Sequence, residues 1–523
     1  MKKSLWINVL IIIGIIVILN LISVSLFHRF DLSKNKMYSL SETSKNTIQS
    51  LEDRLVVKAY FSENLPPEYA DARRYTKDLL AEYAVYSKGH LKFEFIDPAS
   101  EEELKNEAQK NMIQPVQMQI NENDKMEIRE VYLGLAFLYQ GKTETIPLVQ
   151  KTQGLEYDIT SAIKKLISDK QKKIAVFKPQ EVSQDMFGRA RDNYSTFNAL
   201  LAESYQVEES DLSQPLSDDI DGLVITGLKD SLSFDQLYNL DQFIMKGGSV
   251  AFFQDRVRAS IQTQQAEAIK SNLFDLLSSY GINVKQNLVG DANCGQVNLS
   301  RRQGMFTMQT PVKYPFIPII SNFNEDADLV GNIEVMSLVF PSELDASNLP
   351  EGITFTPLMY TSQNSKRVAA PRFDINVNNY MNKDLETMLN EEAATLAGIY
   401  QGTFKSYFAN QTDIPDNIKE SQPTQIIYLA DSEILLDDAG AGNKTNMEFV
   451  LNTLDTIVGD GSLIQLRSRG TEYKPLKSDI SSQKKKLIKW TNILLPSILL
   501  ILYGLLSFKL YNNKKRMLEK IYE

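Results

Sequence analysis

An uncharged apolar run stands near each end of this 523-residue chain, Leu5 to Phe27 at 23 residues and Trp490 to Phe508 at 19. A bilayer crossing takes about 20 apolar residues in a helix, so both have the length of a membrane span. Leu5 to Phe27 is longer than the apolar part of a cleaved signal, and His28-Arg29-Phe30 offers no small-residue cleavage site. Residues 1–27 therefore read as a retained anchor. Trp490 suits a membrane interface, and Pro496 is tolerated within a membrane helix.

Two crossings put both tails on one side. Basic residues flank both faces of the spans in near-equal number, Lys2, Lys3, Lys509, Lys514, Lys515, Arg516 and Lys520 against Arg29, Lys34, Lys36, Lys477, Lys484, Lys485, Lys486 and Lys489. Long domains translocate largely regardless of charge, and the first helix usually sets orientation. Lys2 and Lys3 thus favour cytoplasmic tails, including the basic tail 509–523, and an exported middle.

The chain carries 56 basic and 66 acidic residues, a formal net charge of −10. An acidic surface argues against nucleic acid as a partner. The single cysteine, Cys294, excludes an internal disulfide.

Residues 36–170 read as a small α/β unit. Leu55 to Phe61 is a strand, Tyr75, Leu79, Tyr83 and Tyr86 form a helical stripe that Gly89 can end, and Leu91 to Phe95 alternates as a strand. A helix from about Ser100 to Asn111, strands at Val116 to Ile120, Val131 to Tyr139 and Thr143 to Val149, and a helix from Leu155 to Ile167 complete it. This order is that of a thioredoxin-like fold, with Pro115 where such folds often carry a cis proline, although a plain loop proline fits that position equally well. Thiol exchange is excluded because the region has no cysteine. Ala136 to Thr143 satisfies a relaxed phosphate-loop pattern, but Lys142-Thr143 opens a strand rather than a helix, so Gln140-Gly141-Lys142 reads as a hairpin turn.

Residues 172–480 read as a larger, doubly wound α/β domain of flavodoxin-like or amidotransferase-like type. Ile174 to Phe177, Gly222 to Gly227 and Val250 to Phe253 are continuous apolar strands, the mark of a parallel sheet covered on both faces. A helix runs from about Tyr194 to Ser204, and Ser233 with Gln236 forms a capping box for another that Gly247-Gly248 ends. An insertion follows, with a helix at Phe274 to Gly281 and Pro-broken strands near Thr310 to Ile320 and Thr354 to Thr361. Gln425 to Ala430 then returns as a strand. Met447, Val450, Leu451, Leu454 and Val458 make a helical stripe, and Leu463 to Leu466 is expected as a last strand of the same sheet.

Ligands of an open parallel sheet bind beyond the carboxyl ends of its strands, which marks Thr226, Asp255, Asp431 and Ser432 as a candidate crevice. Asp255 and Asp431 could serve as acid and base, yet helix capping is the commoner use of such residues, and a fold alone does not imply function. An amidotransferase needs Cys and His together. The only histidines, His28 and His90, lie outside the larger domain, and Asp291-Ala-Asn-Cys294-Gly is no nucleophile elbow. No metal or cofactor site is expected, and the chain reads as non-enzymatic.

Several stretches together resemble the GldG family, the auxiliary membrane component of an ABC-type system associated with gliding motility in Bacteroidetes. They are Phe30-Asp-Leu-Ser-Lys-Asn-Lys-Met-Tyr-Ser-Leu-Ser, Tyr132-Leu-Gly-Leu, Leu155-Glu-Tyr-Asp-Ile-Thr, Asp221-Gly-Leu-Val-Ile, Leu240-Asp-Gln-Phe-Ile-Met-Lys-Gly-Gly and Ala430-Asp-Ser-Glu. Their order between two anchors carries the resemblance. It implies a periplasmic middle, lipid of the inner membrane around the spans, and partnership with a separate permease and ATPase. The alternative is an anchored ligand-binding or hydrolytic ectodomain that serves no transporter.

Overall fold

The computed structural model describes residues 39–470 and 482–522, apart from 64, 123–124, 150–151, 153, 169, 185–187, 304–305 and 412–416. The N-terminal apolar run lies outside them. The described residues from 39 to 470 belong to one compact unit, and those from 482 to 522 form a second.

The first sheet follows the apolar alternation closely. After helix α1 (Glu42–Gln49) come β1 (Leu55–Phe61), α2 (Pro67–Tyr86), β2 (Leu91–Ile96) and α3 (Glu102–Lys110). A hairpin of β3 (Val116–Glu122) and β4 (Lys125–Val131) precedes β5 (Leu133–Tyr139), β6 (Lys142–Ile146) and α4 (Leu155–Ile167). The sheet order is β2-β1-β5-β6, with β2 parallel to β1 and the last two antiparallel. Leu55, Val57, Ala59, Leu135 and Phe137 meet Leu80 and Tyr83 of α2 and Ile159 and Ile163 of α4 in one core. Lys88 and Gly89 take φ of 53° and 95° where α2 ends.

One expectation changes here. Val131 to Tyr139 is two strands, because β4 pairs with β3 in its own two-stranded sheet and the chain re-enters the main sheet only at Leu133. Pro115 is the plain loop proline of its two readings, and the cis peptide among the described residues precedes Pro371. The hairpin turn stands: Gln140 and Gly141 have φ of 48° and 80°, and Tyr139 pairs with Lys142.

The second sheet has eight strands. In chain order its region contains β7 (Lys173–Phe177), α5 (Ser195–Ser204), β8 (Gln206–Glu209), β9 (Gly222–Thr226), α6 (Phe234–Met245) and β10 (Ser249–Phe253). An insertion of α7 (Leu273–Ser279), β11 (Asn287–Asp291), β12 (Cys294–Gln303), β13 (Phe306–Ile320), β14 (Asn322–Phe323), β15 (Ile353–Tyr360), β16 (Ser365–Ala369) and β17 (Thr395–Gly402) follows. The chain then returns as β18 (Thr424–Leu429), α8 (Lys444–Ile457) and α9 (Ser462–Gly470). The order is β8-β7-β9-β10-β18-β17-β15-β14. The first five strands are parallel, and the last three, all from the insertion, are antiparallel.

Strand residues alternate between two cores, so both faces of the sheet are covered. Val224, Ala251, Phe253, Ile427 and Leu429 face Phe197 and Leu201 of α5 and Phe449, Val450 and Leu454 of α8. Leu223, Ile225, Val250, Phe252 and Tyr428 face Leu237, Leu240 and Ile244 of α6 and Leu276 of α7. The capping box of Ser233 and Gln236 is present in both directions. Within the insertion, Leu288, Tyr314, Phe316, Phe340 and Tyr380 form a third core.

Leu463 to Leu466 is helix, not strand. Leu463, Ile464, Leu466 and Arg467 are all buried, a spacing of one, three and four that only a helix puts on one face. A short apolar run cannot by itself distinguish the two.

The second unit contains one helix, α10 (Ser482–Tyr522), of 41 residues and unbroken through Pro496. It is the one helix among the described residues long and apolar enough to cross a membrane, over Lys486–Met517. Its basic C-terminal part continues as helix beyond Phe508.

Candidate functional site

The ends of β9, β10 and β18 stand side by side because these strands are neighbours in the parallel part of the sheet. Gly227, with φ of 64°, turns the chain sharply after β9, and a Cβ there would lie 3.1 Å from the Tyr194 hydroxyl. After β10 the side-chain amide of Gln254 accepts from Leu228 N and donates to Leu228 O, both at 2.8 Å, which fixes the two loops together. After β18, Glu433–Leu435 forms a single 3₁₀ turn.

This framework joins two of the four residues expected at the crevice. The Asp255 carboxylate accepts from Ser432 N at 2.9 Å and from the Ser432 hydroxyl. Both residues line a cleft of about 670 Å³, together with Tyr194, Lys229, Phe340 and Glu433. Asp431 is fully buried and turns inward, accepting from Val339 N at 2.7 Å and Glu433 N at 2.8 Å. Thr226 is likewise fully buried, its hydroxyl turned toward that of Tyr194. The two aspartates therefore do not face each other across a substrate space. Each tethers a loop, as a capping residue does.

Glu433 was not apparent from sequence. Burial, with the negative charges of Asp255 and Asp431, pushes its carboxyl up to about 9, so it is protonated near neutrality. Burial likewise raises Asp255, against the hydrogen bonds from Ser432, and raises Asp431, which also feels the Asp255 charge. Lys229 offsets part of this charge and is ion-paired to Glu181 at the same cleft. The cleft thus offers a neutral acid, a cation and a serine hydroxyl held by a carboxylate. Its local signal was the Asp-Ser-Glu run itself, but the pKa of Glu433 depends on Asp255, 178 positions away.

The chemistry available is hydrogen bonding to a polar ligand. Among the described residues no group of His, Cys, Asp or Glu is arranged to hold a metal ion. Cys294 opens β12, where burial pushes its thiol up to about 11, which disfavours the thiolate a nucleophile requires.

Comparison with known proteins gives three kinds of likeness. The family described as an ABC-type uncharacterized transport system matches residues 171–456, and a domain of unknown function, DUF7088, matches residues 34–138. A protein of Borreliella burgdorferi, described as uncharacterized, is 25% identical over 505 residues, covering 93% of this chain and 94% of its own. Among solved structures, the mmIFT52 N-terminal domain covers 55% of this chain and 97% of its own at 9% identity and a TM-score of 0.32. A ThuA-like protein from Bacteroides uniformis covers 55% and 91% at 10% identity and a TM-score of 0.28.

Proposed function

The chain belongs to the ABC-type uncharacterized transport system family, and from that premise we propose that it is a non-enzymatic auxiliary subunit of an ABC-type transporter. The observation that carries this is the family match across the whole eight-stranded region's parallel core, from before β7 to within α8. The apolar α10 suggests membrane association and agrees with it.

The finer reading is that of a GldG-type component serving a system linked to gliding motility, with both termini in the cytoplasm and the two sheets in the periplasm. A separate permease lies beside the membrane helices, and a separate ATPase supplies hydrolysis. The chain's own loop at Gln140-Gly141 is a hairpin turn, which removes its one candidate phosphate loop. The strand order and senses of the first sheet support a thioredoxin-like fold without redox cysteines. The order β8-β7-β9-β10-β18 of the parallel strands supports a flavodoxin-like core, whose cleft is the place for a periplasmic substrate or partner.

Crosslinking in the native membrane, followed by extraction in mild detergent, tests the assignment. Recovery of a multi-spanning permease and a phosphate-loop ATPase is the expected result. Recovery of the chain alone, with both partners shown to be expressed and extractable, would remove the transporter reading. The contact of Ser432 with Asp255 favours a second reading, a hydrolytic or ligand-binding cleft. Asp255→Asn tests the hydrolytic form of this reading: a folded variant that keeps any hydrolytic activity found for the native chain would rule out chemistry at this cleft.

A further inference from the structure

The two sheets are joined through elements that neither family match contains. α4 ends the first sheet's region at residue 167 and α9 spans 462–470, whereas the matches cover 34–138 and 171–456. At this seam the structure concentrates buried polar contacts on one residue. Arg467 of α9 donates to Asp455 of α8 and to the Tyr157 hydroxyl of α4, both at 2.8 Å, and also to the Asn452 side chain. Its guanidinium lies 4.6 Å from the centre of the Tyr157 ring. Tyr205, just after α5, donates its hydroxyl to the other oxygen of Asp455. The Arg467 and Asp455 side chains are only 8% and 5% exposed.

The beginning of α9 is gripped from the other side. Lys164 of α4 binds Asp460 at 2.6 Å and the Ser462 hydroxyl at 2.7 Å, and Thr43 of α1 donates to Ser462 O at 3.2 Å. Around these contacts the seam is open, with a cleft of about 570 Å³ lined by Tyr157, Lys164, Tyr205, Asp455 and Leu463. Leu463, Ile464 and Leu466 of α9 are buried beside these contacts, so the boundary combines an apolar contact, a few directional bonds and an open cleft, an arrangement that suits a hinge between rigid layers.

We propose that α9 is a clamp that fixes the angle between the two sheets, locked by Arg467, and that the seam is the hinge between them. The guanidinium suits this role because it can serve Asp455, Asn452 and Tyr157 at once, whereas a lysine would be a single point charge. The clamp does not depend on the transport assignment.

Hydrogen–deuterium exchange on the full chain in detergent tests it with Arg467→Met, and with Asp455→Asn/Arg467→Met, which leaves no unpaired buried charge. In both, amides of α4, α8 and α9 should exchange at least tenfold faster while those of β1, β5, β9, β10 and β18 keep their protection. Protease should also cut faster in the segment 168–172 between the sheets, leaving two resistant fragments. Arg467→Lys should recover only part of the protection. Uniform loss of protection in the double variant would show that the contacts merely hold up one cooperative core, and unchanged seam exchange would show that Arg467 locks nothing; either result overturns the proposal.

Discussion

Replacing Asp241 by Leu should destabilise the larger sheet's region by about 4 kcal/mol. Asp241 lies in α6, is fully buried, and accepts from the Tyr280 hydroxyl, the Ser406 hydroxyl and Tyr407 N, each at 2.8 Å, and from the Gln242 amide at 2.9 Å. It thereby pins α6 to the end of α7 and to the loop after β17. Water can replace the carboxylate at Gln242 and at Tyr407, which is 38% exposed, but not at Tyr280, which is fully buried, or readily at Ser406. An unsatisfied buried donor costs about 1–3 kcal/mol, so two such donors give about 2–6 kcal/mol. Asp241→Asn keeps one acceptor oxygen and should cost about half as much. Urea unfolding of the full chain in mild detergent, followed by circular dichroism, reads the change; tryptophan fluorescence would not, since the only tryptophans are Trp6 and Trp490. Tyr280→Phe removes one stranded hydroxyl, so the pair should be less destabilised than the sum of the single variants by about 1–2 kcal/mol. Strict additivity, or a cost for Asp241→Leu below about 1 kcal/mol, would refute the accounting.

Three further outcomes follow from particular contacts. Because Glu433 is protonated in the fold up to about pH 9 but ionises from about 4.5 when unfolded, the folded state binds the extra proton between those values. Its contribution to stability is therefore complete below that window and lost as pH rises through it, by at most ~1.4 kcal/mol per pH unit. Thermal unfolding at pH 6 and pH 8 should show a smaller decline for Glu433→Gln than for the native chain; an equal decline would place the titration elsewhere. A Cβ at Gly398 would stand 2.1 Å from Cε2 of Phe355 on the neighbouring strand, so Gly398→Ala should cost about 1–3 kcal/mol, with partial recovery on adding Phe355→Leu, measured by the same urea titration. Ser233→Ala removes one half of the capping box and should cost about 1 kcal/mol, with faster exchange confined to the first turn of α6.

What could be read from sequence was what neighbouring residues decide among themselves. The capping box at Ser233, the turn at Gln140-Gly141, and the limits of β1 and α4 depend on a few adjacent side chains and stand as expected. α9 was misread because its strongest determinant, the pairing of Arg467 with Asp455, lies across the seam rather than along the local run. β17 carries Gly398 in its interior, where glycine weakens a strand signal, and the ring of Phe355 occupies the space left by the missing Cβ. At the candidate site, the rule for strand ends located Asp255 and Ser432, and that rule is topological. It could not show that Asp431 turns inward, nor that the distant carboxylate of Asp255 alters the acidity of Glu433.

The insertion between β10 and β18 ends in strands that rejoin the parent sheet. β17 pairs with β18 along Ala397 to Gly402, and β15 pairs with β17 in turn. A shortened chain joining Asp255 to Thr424 would thus leave no smaller copy of the fold. It would turn β18, whose residues from Ile427 to Leu429 are fully buried or nearly so, into a bare apolar margin with a row of unpaired N–H and C=O groups. Such margins recruit strands from other molecules. Solubility, more than activity, would be the first property lost when this segment is trimmed.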